Sequence, residues 1–176
     1  MKQIFSIIIL LTLFSCNPKY QDQITDKPNN TEVNFFIDVN KEIMAKEEFK
    51  IDSLLYNIDI PFTTHNTGLR LFIENTPKNH NKYYPIEGDL VVVEYSCVIF
   101  DSIQHMLDHG FMDTLSFKIG HSKQMKGLNY AIKLLQIGDK AKIIIPSYLG
   151  FGMSGYGNIV PPYSTLLLNV KLLNIQ

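Results

Sequence analysis

Gly88-Asp89-Leu90-Val91-Val92-Val93-Glu94-Tyr95-Ser96-Cys97-Val98-Ile99 reads as one long β-strand opened by a turn. Side chains of an extended chain point alternately to opposite faces. Val91, Val93, Tyr95, Cys97 and Ile99 therefore share one face, and Leu90, Val92, Glu94 and Ser96 the other. An apolar face of this length needs a cover, so the strand belongs to a sheet packed on another element. Cys97, alternating with apolar neighbours, is expected to act as a small buried hydrophobe and not as a reactive thiol.

The same period of two returns on both sides of this stretch. Leu69, Leu71 and Ile73 alternate with Arg70 and Phe72 ahead of it. Leu115, Phe117 and Ile119 follow, then Ala141, Ile143 and Ile145 up to Pro146, then Leu166, Leu168, Val170 and Leu172. One segment breaks the pattern. Over residues 126–136, Leu128, Ile132 and Leu135 recur at helical spacing, and Gly138 supplies the stop. The alternation predicts an α+β domain of four to five antiparallel strands and one short helix, with that helix as the nearby candidate to cover the inward strand faces.

Towards the N-terminus the period changes again. Over residues 32–60, Phe36, Val39, Ile43, Ile51, Leu54 and Ile58 recur at or near multiples of three and four, while Lys41, Glu42, Lys46, Glu47, Glu48 and Lys50 fill the other faces. This predicts an amphipathic helix ended by Pro61. It either docks on its own domain or joins two copies as a homodimer through residues 32–58. Residues 16–31 are polar and hold two prolines, and are expected to form a flexible tether reaching roughly 50 Å when extended. In residues 1–15, Lys2 precedes an apolar run from Ile4 to Phe14. That run falls short of the ~20 residues a spanning helix needs and suits the core of a signal peptide. Leu13-Phe14-Ser15-Cys16 resembles a bacterial lipobox, which implies that Cys16 carries a lipid and fixes the chain to the membrane of the cell envelope.

Composition narrows the function classes. The 176 residues carry a formal charge of −1, so no electrostatic footprint for nucleic acid or acidic lipid exists. With Cys16 and Cys97 the only cysteines, a disulfide framework is excluded. His105 and His109 share i, i+4 spacing but lack a third ligand signal, so two ordinary loop histidines and no metal are expected. No glycine-rich phosphate loop precedes a helix, and no nucleophile elbow is present. No cofactor is expected.

Several stretches, in order, resemble the FKBP-type peptidyl-prolyl cis-trans isomerase family. They are Gly88-Asp89 leading into Val93-Glu94-Tyr95, Phe117-Lys118-Ile119-Gly120, Met125-Lys126-Gly127-Leu128 and Gly138-Asp139-Lys140-Ala141-Lys142. Pro146-Ser147-Tyr148-Leu149-Gly150-Phe151-Gly152 and Gly155-Tyr156-Gly157-Asn158-Ile159-Val160-Pro161-Pro162 complete the set. The resemblance covers roughly residues 68–176 and implies an antiparallel sheet wrapped around one short helix. The N-terminal helix followed by Thr67-Gly68-Leu69 is also similar to FKBP-type lipoproteins associated with gliding motility.

Carried over by position, the resemblance implies catalytic roles for Tyr95, Asp108, Phe151 and Tyr156. It implies a substrate-binding lining of Met125, Leu128, Ile159, Val160 and Leu168, with the backbone N–H of Ile159 holding the substrate carbonyl. Leu128 stands where the family usually has a tryptophan floor, and Phe151 replaces the usual tyrosine. Leu115 and Leu168 occupy positions where aromatics are common. Asp108 fits only with a shift in the loop at 100–110; without the shift His105-Met106 fall there. The implied function is isomerisation of proline-containing polypeptides, assisting the folding of exported proteins, at an activity reduced by the lost aromatics. The alternative is a non-catalytic binding or assembly factor.

Overall fold

The structure, a computed structural model, describes residues 30–75, 83–102 and 113–176. The expected signal peptide, Cys16, the tether to residue 29, and the loop holding His105, Met106, Asp108 and His109 lie outside the described residues. Residues up to Asp38 group apart from the compact unit Val39–Gln176. Of the first group, the described part is the start of helix α1 (Asn30–Leu55), where Val33, Phe35, Phe36 and Ile37 are exposed. The helix thus begins two residues inside the stretch expected to be tether and stops six residues before Pro61.

In the compact unit, β1 (Thr63–Thr64), β2 (Arg70–Asn75), β3 (Leu90–Ile99), β4 (Asp113–Lys118), β5 (Lys140–Ile145) and β6 (Leu166–Ile175) form one sheet in the order β1-β2-β5-β6-β3-β4. Every neighbouring pair is antiparallel. The sheet has six strands where four to five were expected, because the two residues of β1 pair with Leu71 and Arg70 at its edge. Helix α2 (Lys126–Ile132) crosses the front face. It ends four residues earlier than its periodicity suggested, yet Leu135 beyond its end stays fully buried.

Period-two alternation supplies the front core. Val91, Val93, Phe117, Ile143, Leu168 and Leu172 meet Leu128, Ile132 and Leu135 in one buried cluster. A Cβ on Gly127 would lie 2.5 Å from Ile145 Cγ2, so only glycine lets α2 approach β5 this closely. The back face is covered too, by α1. Ile51 packs with Ile144, Leu167 and Phe100, flanked by Leu54, Leu55 and Ile58.

One expectation fails on the back face, and one buried charge was not foreseen. Glu47 and Glu48, read as part of a solvated face, turn inward and are half-buried. Arg70, a residue between the front-facing leucines, is 1% exposed. Its guanidinium pairs with Glu48 and with Asp52 at 2.7 Å, and also donates to the Gly68 carbonyl. A buried cation is tolerated only when paired in this way.

Candidate functional site

Burial along β3 shows where the front core runs out. Val91 and Val93 are fully buried, Tyr95 and Ile99 are half-buried, and Cys97 between them is exposed. The expectation that Cys97 is a buried hydrophobe is therefore wrong, because facing the core side does not ensure that the cover extends so far. Its thiol is nevertheless desolvated, which pushes its pKa up to about 11 and makes it a weak nucleophile at neutral pH.

Residues 146–165 border this end of β3. Pro146 stops β5, short 3₁₀ turns follow at Ser147–Leu149 and Gly152–Ser154, and the chain returns as β6. Gly155 has φ of 62° and a Cβ there would meet the Val160 carbonyl oxygen at 2.3 Å, so this reversal requires glycine. A small hairpin follows, with Tyr156 N–H donating to Val160 O at 2.8 Å and Val160 N–H returning to Tyr156 O at 3.1 Å. Tyr156 stacks on Phe151 with ring centroids 4.9 Å apart and planes 27° from parallel.

The residues singled out from the sequence separate into layers. Met125, Leu128, Val160 and Leu168 belong to one buried cluster, and Tyr95 and Phe151 pack against it. Leu128 and Leu168, 1% and 0% exposed, are the deepest of these. Met125 and Val160, each 8% exposed, reach the surface of the cluster. Tyr156 and Ile159 are exposed and form a rim. The Ile159 N–H donates to Tyr156 O at 3.1 Å.

Burial, and next the negative charge of Asp113, raise the pKa of Tyr95, so its hydroxyl stays protonated and able to donate. Asp113 lies directly opposite Tyr95 in the β3–β4 register. Sequence reasoning missed it by starting that strand at Leu115; counting the register back two residues would have found it. Asp108 remains outside the described residues.

The site residues thus gather at one end of a six-stranded antiparallel sheet, where Met125 and Val160 lie beside the stacked rings of Phe151 and Tyr156. Comparison with known proteins gives the family. A profile for FKBP-type peptidyl-prolyl cis-trans isomerase matches residues 82–173. The chain is 32% identical over 109 residues to FK506-binding protein 1 of Eremothecium gossypii, spanning 59% of this chain and 91% of that protein. It is 37% identical over 92 residues to peptidyl-prolyl cis-trans isomerase FKBP14 of Homo sapiens, spanning 51% of this chain and 43% of that one. A crystal structure of a peptidyl-prolyl cis-trans isomerase from Pseudomonas syringae aligns with a TM-score of 0.59 at 17% identity, over 77% of this chain and 95% of that chain, a likeness of fold. The chain belongs to the FKBP-type peptidyl-prolyl cis-trans isomerase family, and that is its enzyme class. The narrower resemblance to gliding-motility lipoproteins is not borne out.

Proposed function

We propose that this chain isomerises X-Pro bonds of exported polypeptides while tethered to the cell envelope by a lipid on Cys16. The observation that carries the reading is the apolar floor of Met125 and Val160, with the Phe151–Tyr156 stack at the open end of the front face. Rotation about a peptide bond meets a barrier of ~18–20 kcal/mol because resonance gives C–N double-bond character. X-Pro isomers differ little in energy yet interconvert slowly. Catalysis therefore needs no nucleophile or proton transfer. The twisted transition state has a less polar carbonyl than the planar amide, and a dry apolar floor favours it. A thousandfold acceleration corresponds to only ~4 kcal/mol of such preference.

Leu128 in place of the usual tryptophan and Phe151 in place of the usual tyrosine reduce the aromatic lining, which supports a lower rate than typical of the family. The test is the catalysed cis-to-trans rate of the full chain on tetrapeptides that vary the residue before proline. Apolar residues there should be the better substrates. A well-folded chain inactive on every peptide would leave the non-catalytic binding factor as the reading.

Envelope anchoring rests on the lipobox-like Leu13-Phe14-Ser15-Cys16. Cys16→Ser should leave the membrane fraction; its retention there would overturn the anchor. Pairing of two copies through residues 32–58 is supported by exposed Phe35, Phe36 and Phe49 on α1. Sedimentation that stays monomeric at high concentration would exclude it.

A further inference from the structure

One carboxylate on α1 holds both feet of the loop that carries the site. Glu47 Oε1 accepts from the Ser147 N–H at 2.7 Å and from the Thr165 hydroxyl at 2.6 Å, and Oε2 accepts from the Ser147 hydroxyl at 2.7 Å. Ser147 starts the segment after β5, and Thr165 ends it immediately before β6. Phe151, Tyr156, Ile159 and Val160 all lie between these two residues. The donors are 3% and 8% exposed, so a lost acceptor would leave buried polar groups unsatisfied. The Ser147 N–H is also one of the orphan donors at the start of a 3₁₀ turn, and an ionised acceptor makes the stronger bond.

We propose that Glu47 is a positioning residue for prolyl isomerisation: α1 acts through its carboxylate to fix the loop that presents Phe151 and Tyr156 to the substrate. The proposal rests on the isomerase reading above. Glu47 touches no part of the groove lining and works through Ser147 and Thr165. Asp52, five residues further along α1, provides an internal comparison, because it holds Arg70 on β2 and has no bond to the loop. Removing Asp52 loosens the helix; removing Glu47 loosens the helix and frees the feet of the loop.

The experiment compares full-length Glu47→Ala, Glu47→Gln and Asp52→Ala by amide hydrogen exchange over residues 151–160 and by kcat and KM on one apolar-Pro peptide. Glu47→Ala should speed exchange there and lower kcat/KM by about tenfold, an amount set by misplacing bound groups. Glu47→Gln keeps an oxygen acceptor and should stay within about threefold of the parent. Asp52→Ala should leave exchange at 151–160 and kcat/KM unchanged even where it lowers thermal stability. Equal exchange and equal kcat/KM in Glu47→Ala and Asp52→Ala would overturn the proposal and reduce Glu47 to an anchor. An inactive parent would overturn the isomerase reading, and the exchange comparison would still decide whether Glu47 fixes the loop.

Discussion

The two faces of the sheet are buried by different chemistry. In front, α2 sets Leu128 and Ile132 against Val91, Val93, Ile143 and Leu168, and the cluster is apolar throughout. At the back, α1 adds only Ile51 as a fully buried hydrophobe and interleaves it with Glu47, Glu48 and Asp52, which meet Arg70, Ser147, Tyr148 and Thr165. Apolar packing is nondirectional and tolerates small shifts, whereas charge-assisted hydrogen bonds fix one geometry. The front therefore supplies the larger apolar core, and the back adds directional bonds from α1 to a smaller one.

The largest effect should come from the front. Ile132→Ala removes a fully buried side chain from the centre of the cluster and should cost ~2–5 kcal/mol, depending on how far the site relaxes. Urea unfolding measures it. A loss below that of Ile51→Ala at the back would reverse the comparison.

Next is the ion network at the back. Arg70→Ala strands Glu48 and Asp52, but the Asp52 side chain is 64% exposed and already screened. The cost should fall near the low end for a broken buried pair, about 3 kcal/mol. Alkaline pH probes the same place more gently. Burial, and then the hydrogen bond to Glu48, raise the pKa of Tyr148 above its ordinary 10.0. The folded state then holds a proton that the unfolded chain releases, so stability present below about pH 10 falls as pH rises beyond it. Tyr148→Phe should flatten that decline in unfolding measured between pH 9 and 11. An unchanged slope would show that another group titrates there.

The front face was legible because a strict period of two is a strong signal, and Leu69, Leu71, Val91, Val93 and Leu166 to Leu172 in alternation need one cover. The back was not, although α1 itself was. Glu47 lies four residues from both Ile43 and Ile51, on the same helical stripe, yet a glutamate among lysines reads as solvated until its partners are known. Those partners are Ser147 and Thr165, 100 and 118 residues away, and no local pattern announces them. Within the site, residue type was legible but depth was not. A period of two tells which face Leu168 and Cys97 share, but not that Leu168 is fully buried and Cys97 exposed, because depth depends on packing between distant segments.

The smallest effects belong to the open end of the front, where core gives way to site. Phe151 is half-buried against the core cluster, while Tyr156 is 58% exposed and held by stacking and its own hairpin. Phe151→Ala should open the floor to water and lower kcat/KM by about tenfold, worth ~1.4 kcal/mol in the transition state. Phe151→Tyr should match or exceed the parent, since the added hydroxyl restores a donor at a position where the family usually has one. Tyr156→Ala should lower kcat/KM by less, about threefold, and move stability by no more than ~0.5 kcal/mol, because a rim residue contributes little to packing. Peptide kinetics and thermal unfolding on the same samples separate the two. If Tyr156→Ala costs as much stability as Phe151→Ala, the hairpin is part of the core and the boundary between packing and site lies further out than residue 156.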